Sequence, residues 1–217
     1  MPLPAGLRIE SLGTAGYRIT YDGHTLLVDP YLTRIPLSAV LRRAPAYANT
    51  ALHEPLLDTD IGEVEAILVG HTHFDHAIDV PVLARTLDTR AFGSDSLLRL
   101  MRLYGREDRA VEVVAHRRYE LGPFVVEFVP SLHSKLLLGY KVPFDGRSFT
   151  ERYWDRVLRR LQPAVVVASH FDDFFRPLAA PIGFSTNVNL SALPDEIHAV
   201  SRDITVAAFA PLTVTAG

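Results

Sequence analysis

The stretch Ala66-Ile67-Leu68-Val69-Gly70-His71-Thr72-His73-Phe74-Asp75-His76 decides how this chain is read. Ala66 to Val69 is an apolar run with a β-branched bias, so it predicts a buried strand that Gly70 brings to an end. Four side chains able to hold a metal then follow within six positions, in the pattern His-x-His-x-Asp-His. Imidazole and carboxylate donors suit zinc or a neighbouring transition metal, and one turn off a strand end brings several of them to one place. The plain alternative is a polar turn whose histidines face water. Against it, nine histidines scattered over 217 residues seldom gather three in six positions, and the strand before them supplies the context such a motif needs.

Two further histidines stand at strand ends. Phe124 to Val129 predicts a strand, closed by Pro130-Ser131-Leu132-His133-Ser134. Ala164 to Ala168 predicts another, closed by Ser169-His170-Phe171-Asp172-Asp173. With a ligand cluster already in hand, His133 and His170 become candidate ligands. His24, His53, His116 and His198 lie in polar or loop surroundings and are expected to be solvated.

Ahead of the motif, Leu7–Glu10, Tyr17–Tyr21 and Thr25–Val28 read as strands of an antiparallel meander, with Asp22-Gly23 as a tight turn. Asp29, at the end of the third strand, is either a turn former or a group that orients a ligand histidine from behind. Residues 31–62 carry Pro36, Pro45 and Pro55 and only a short helical pattern near Ser38–Arg43. A long segment of little regular structure is often functional, so it is expected to wall the site, with Tyr47 and His53 as its candidate contacts. After the motif, Asp79 is placed to cap a helix carrying Val80, Leu83, Ala84 and Leu87 on one face. Further helices are expected over Ser94–Leu103, Phe149–Leu161 and Pro194–Ser201, and strands over Arg90–Gly93, Val111–Ala115 and Ile204–Phe209. Strands alternating with helices predict one α/β domain spanning residues 1–217.

Composition bounds the function. A formal charge of −3 gives no basic footprint, which argues against nucleic acid as a partner. No apolar run reaches the ~20 residues that span a bilayer. The first residues, Met1 to Gly6, have neither a basic nor an apolar leader segment, so a cytoplasmic location is expected. The absence of cysteine excludes thiolate catalysis and cysteine-held metal, leaving nitrogen and oxygen donors.

Taken together, Leu12-Gly13-Thr14-Ala15-Gly16, Leu27-Val28-Asp29-Pro30, the His71–His76 motif, Ser131-Leu132-His133-Ser134 and Ser169-His170-Phe171-Asp172-Asp173 resemble the metallo-β-lactamase-fold hydrolases. The resemblance runs from about Leu7 to Leu178 and is nearest the branch of L-ascorbate-6-phosphate lactonase and the N-acyl-phosphatidylethanolamine phospholipase D enzymes. It implies an α/β, four-layer αββα sandwich with two divalent metal ions at one edge. It places His71, His73 and His133 on the first ion, Asp75, His76 and His170 on the second, and Asp29 behind the ligands. Zinc is the expected metal, with manganese or iron as substitutes. By the same resemblance the ions share a water whose pKa falls towards neutrality, and Asp75 orients the resulting hydroxide for attack on an ester-like bond, a lactone or a phosphodiester, of a small intracellular substrate.

One departure stands out. The family's bridging acid and its strands, expected between positions 133 and 170, are missing from the stretch Gly139–Arg147, where Asp145 is the remaining acid. The fold is thus expected to be shortened in its second half, with a partly occupied second metal site. An exposed sheet edge there would favour a homo-oligomer. A metal-binding but catalytically weak or inactive protein that serves by binding a ligand or a partner is the alternative to a hydrolase. Substrate contacts are expected from Tyr47 and Tyr140.

Overall fold

Residues 63–68, which include most of the apolar run, lie between two parallel neighbours in a six-stranded sheet. The computed structural model describes residues 4–57, 59–130, 136–137, 140–141, 146–178, 180 and 192–208. The chain divides into two compact units, the larger chiefly residues 3–128 and 169–186, the smaller chiefly residues 129–168 and 187–208.

In the larger unit, β1 (Arg8–Gly13), β2 (Gly16–Tyr21) and β3 (His24–Val28) form the antiparallel meander. Asp22 and Gly23 close its second turn with φ of 50° and 80°, the left-handed pair that a two-residue hairpin requires. The segment after β3 holds α1 (Leu37–Leu41), a 3-10 turn (Thr50–Leu52) and α2 (Glu54–Leu57). The chain then enters β4 (Glu63–Leu68), parallel to β3. A one-turn helix α3 (Phe74–Ala77) and α4 (Val80–Thr86) lead to β5 (Ala91–Gly93), and α5 (Asp95–Leu103) leads to β6 (Ala110–Glu112), both strands again parallel. The sheet order follows the chain order, β1 to β6. A hairpin of β7 (Arg118–Leu121) and β8 (Phe124–Glu127) comes next.

The packing explains why the run at 66–69 is continuously apolar rather than alternating. Ile67 and Val69 enter a core with Leu83 and Ala84 of α4 and Leu97 and Met101 of α5. Ala66 and Leu68 enter a second core with Leu26, Phe92 and the hairpin residues Leu121 and Phe124. A strand covered on both faces has no solvent side to make polar. Each large side chain buried there contributes roughly 1.5–3 kcal/mol. α5 shows the sequence logic most directly. Leu97 and Met101 stand one turn apart and are both fully buried. The helix then ends in a left-handed Gly105 (φ 65°), with Gly105 N–H donating to Arg102 O and Arg106 N–H to Met101 O at 2.9 Å each. That paired pattern is the Schellman stop that glycine favours.

The smaller unit contains β9 (Leu136–Leu137), β10 (Tyr140–Lys141), α6 (Gly146–Leu161), β11 (Val165–Ala168), α7 (Leu193–His198) and β12 (Thr205–Ala208). β11 and β12 pair in parallel, and Trp154, Leu158, Ile197, Ile204 and Val206 form their own core.

Three local expectations are corrected. Strand β7 falls where no strand was expected, because Tyr119 and Leu121 alternate inward over only four residues. The strand expected over Val111–Ala115 is β6, three residues long and starting at Ala110. Asp79 precedes α4 but makes no side-chain cap, its carboxylate being engaged elsewhere.

Candidate metal centre

Strands β3 and β4 run in parallel and end side by side, so their carboxyl ends deliver Asp29 and the turn 70–76 to one edge of the sheet. That edge is where open parallel sheets carry their ligands. Asp29 adopts φ 40°, and its N–H donates to Leu68 O at 2.9 Å. Its Oδ1 accepts from the Gly70 N–H at 2.7 Å, and its Oδ2 lies 3.0 Å from His76 Nδ1. A Cβ at position 70 would fall 3.0 Å from Asp29 Oδ2, so the approach of carboxylate to backbone depends on glycine.

α3 begins just after His73 and turns Asp75 and His76 inward, where they are 6% and 4% exposed. His71 is half-buried and His73 exposed. His71 Nε2 and His73 Nδ1 are 3.0 Å apart, and the His71 and His76 rings are separated by 3.9 Å. His170 arrives from the other end of the sequence with φ 59°, its N–H donating to Thr14 O at 2.6 Å. Its Nε2 donates to Asp75 Oδ2 at 3.2 Å, and the same oxygen is 3.8 Å from His76 Nε2. One donor atom from each of Asp75, His76 and His170 falls within 4.8 Å of the others.

Both ring nitrogens of His76 are buried and have no hydrogen-bond partner among the described residues; the Nδ1 contact to Asp29 is close but off the line of a hydrogen bond. A buried polar atom with no partner is costly, and a cation at Nε2 relieves that cost. The donor set therefore fits a divalent transition metal. Burial pushes the Asp75 carboxyl up, but the hydrogen bond from His170 and the charges of His76 and His170 outweigh it and hold Asp75 below its ordinary value.

A polar network braces His170. Asp172 is 7% exposed and accepts from Thr14 N–H at 2.8 Å and from Arg34 Nη1 at 3.1 Å. Arg34, itself buried, also donates to Thr14 Oγ1 at 2.9 Å and to Leu12 O at 3.2 Å. The Phe174 ring stands edge-on to His170 at 5.5 Å and packs with Phe74, Tyr31 and Ile35.

Of the residues singled out from sequence, His71, His73, Asp75, His76, His170 and Asp29 thus meet at one sheet edge. His133 and Asp145 lie outside the described residues, as does the side chain of Tyr140, whose backbone belongs to β10. Tyr47 is 72% exposed and lines a cavity of about 540 Å3 with Leu32, Arg34, Leu52 and Leu178. His53 overturns its expectation. It is 1% exposed and donates from Nε2 to Asp79 Oδ1 at 2.8 Å. His24 is half-exposed at the opposite end of β3, ion-paired with Glu65 at 2.6 Å and 3.9 Å from Glu63. Arg34, Asp79 and Asp172 are the polar residues near the site that sequence reasoning gave no such part. Their signal was there in principle, as charged residues set in apolar surroundings beside the motif segments.

A mixed sheet backed by helices, with imidazole and carboxylate groups gathered at its carboxyl edge, defines a protein of the metallo-β-lactamase fold with a candidate metal centre. A family model described as the beta-lactamase superfamily domain matches residues 13–150, and the chain belongs to that family. Among relatives, a UPF0173 metal-dependent hydrolase of Polynucleobacter asymbioticus is 35% identical over 82 residues, covering 37% of this chain and 25% of that one. A UPF0173 metal-dependent hydrolase of Roseobacter denitrificans is 30% identical over 131 residues, covering 59% and 49%. The chain thus spans about half or less of the length of these relatives. Igni18, a metallo hydrolase from the archaeon Ignicoccus hospitalis, superposes with a TM-score of 0.57 at 13% identity, over 94% of this chain and 95% of that one, which shows the fold.

Proposed function

We propose that this protein is a metal-dependent hydrolase, acting as one domain over residues 1–217 on an ester-like bond, a lactone or a phosphodiester, of a small substrate. The observation that carries the reading is the convergence of Asp75, His76 and His170, with the buried His76 ring nitrogens making no hydrogen bond among the described residues. The names of the UPF0173 relatives support it.

His71 and His73, with His133, are proposed to hold one ion, and Asp75, His76 and His170 a second. Bound there, zinc, manganese or iron supplies Lewis acidity and brings the pKa of a coordinated water towards neutrality. The chain's own residues do the rest. Asp29 fixes the Gly70 turn, and with it the direction in which His71 and His73 leave the strand. Asp75, a carboxylate ionised at neutral pH, is an acceptor able to orient a water. Phe74 and Phe174 pack together, with the Phe174 ring edge-on to His170. Tyr47 and Tyr140 are proposed substrate contacts, Tyr47 from the wall of the cavity beside Arg34.

The test is steady-state hydrolysis of a chromogenic lactone and a chromogenic phosphodiester by protein loaded with zinc, manganese or iron. Turnover of either is expected, with Asp75→Asn and His170→Ala each reducing kcat/KM by more than the 10–100-fold that loss of an outer hydrogen-bond partner costs. Absence of turnover with every metal, in protein shown to bind metal, would overturn the hydrolase reading in favour of a ligand-binding member of the fold.

A further inference from the structure

Asp79 lies three residues beyond the histidine motif and is fully buried, at 0% exposure. A carboxylate has about four acceptor positions, and here four donors reach it. Oδ2 accepts from the Leu32 N–H at 2.8 Å and the Thr33 N–H at 2.9 Å. Oδ1 accepts from the Thr33 hydroxyl and from His53 Nε2 at 2.8 Å. Every one of these donors belongs to the segment between β3 and β4. The Thr33 hydroxyl in turn accepts from the Asn49 N–H at 2.8 Å, and the Leu56 N–H donates to His53 O at 3.0 Å. A side chain placed to cap a helix has been diverted wholly to holding a distant loop.

That loop begins with Asp29, which reaches in the other direction, to Gly70 and His76. Residues 29–33 and 70–79 are therefore stitched twice, each segment contributing one buried carboxylate to the other. The first stitch brings Asp29 Oδ2 to 3.0 Å from His76 Nδ1. The second fixes the backbone only three residues beyond Asp29, itself held at a left-handed φ of 40° that an unanchored chain would leave.

We propose that Asp79 and His53 form a positioning unit for the metal centre, acting through the 29–33 backbone to hold Asp29 against His76. The inference rests on the reading of Asp75, His76 and His170 as a metal site. It adds that the affinity of that site is set partly by a buried pair touching none of its ligands. A pair that only stabilised the fold would lower the melting temperature and leave metal affinity alone. A positioning pair changes the dissociation constant of one ion in folded protein.

The experiment is a cobalt(II) titration of the full chain, followed by visible absorption, on wild type, Asp79→Asn, His53→Ala, His53→Gln and Thr33→Val. His170→Ala identifies the equivalent belonging to the Asp75–His76–His170 site. Asp79→Asn and His53→Ala are expected to weaken that equivalent about tenfold, the lower end of what outer-shell partners contribute. Thr33→Val, which removes one of the four donors, should weaken it less, by about threefold. His53→Gln, whose amide nitrogen stands where Nε2 stood, should return it to within about twofold of wild type. Unchanged constants in variants that are folded by far-ultraviolet dichroism would overturn the proposal, as would failure of the glutamine rescue. If His53→Ala does not fold, His53→Gln and Thr33→Val decide between the same two outcomes. A wild type that takes up no cobalt overturns the metal-site reading itself, an outcome distinct from wild-type uptake with indifferent variants.

Discussion

Replacing Arg34 by alanine removes a buried cation from the middle of the network that braces His170. Its guanidinium makes three hydrogen bonds, to Asp172 Oδ2, Thr14 Oγ1 and Leu12 O. After the change, Asp172 keeps only the Thr14 N–H as a partner among the described residues, and the Leu12 carbonyl loses its side-chain donor. The Arg34 and Asp172 side chains are 2% and 10% exposed, so water cannot readily replace what is lost. Breaking a buried pair by removing one partner costs about 3–5 kcal/mol. Part of this is offset here, because Arg34 Nε is buried with no hydrogen-bond partner among the described residues. The lower half of that range, about 3–4 kcal/mol, is therefore expected for Arg34→Ala in urea unfolding. Asp172→Ala should cost a similar amount, and the double variant less than the sum by about 1.5–3 kcal/mol, the coupling of groups that share one network. Additivity to within about 0.5 kcal/mol would refute the reasoning, since it would mean that the two side chains do not act on each other.

Leu97→Ala, in the core between α5 and the sheet, should cost roughly 2–5 kcal/mol of unfolding free energy, read as a fall in the urea midpoint. Glu10 is held below its ordinary value by its hydrogen bond to Arg18, against burial, which raises it. A depressed acid stabilises the fold above its unfolded pKa of ~4.3 and loses that contribution as pH falls through the folded value. Glu10→Gln should therefore cost about 0.5–1 kcal/mol near pH 7 and close to nothing near pH 2, compared by urea midpoints at the two pH values. Stripping metal with a chelator should lower the melting temperature, since an ion held at 100 times its dissociation constant contributes ~2.7 kcal/mol; restoring zinc should return it, and a melting curve indifferent to chelator would contradict the metal assignment.

The central strand and the turn after it were legible because burial on both faces writes a continuous apolar run, and because the donors follow one another directly. The Asp22-Gly23 turn and the Gly105 helix stop were legible for a local reason: each needs a left-handed residue, and glycine supplies one. What escaped was set by distance along the chain. His53 looked solvated because it sits in a proline-containing stretch read as loop, yet its partner, Asp79, stands 26 positions away. Asp79 looked like a helix cap because the rule for caps is local, while four donors from the 31–53 segment outbid that role. Arg34 and Asp172 are 138 residues apart, and no local pattern links them. β7 escaped because four residues are too few for alternation to separate a strand from a turn. His133, implied as a ligand only by the resemblance, and Asp145 lie outside the described residues.

The division of the motif between two metal ions is tested most directly by counting metal. Protein loaded with zinc, desalted and measured by elemental analysis should carry two equivalents per chain. His71→Ala and His170→Ala should carry one each, missing different ions, and the double variant none. Loss of both ions together in either single variant, or a wild type that retains one ion unaffected by His170→Ala, would contradict the two-site division.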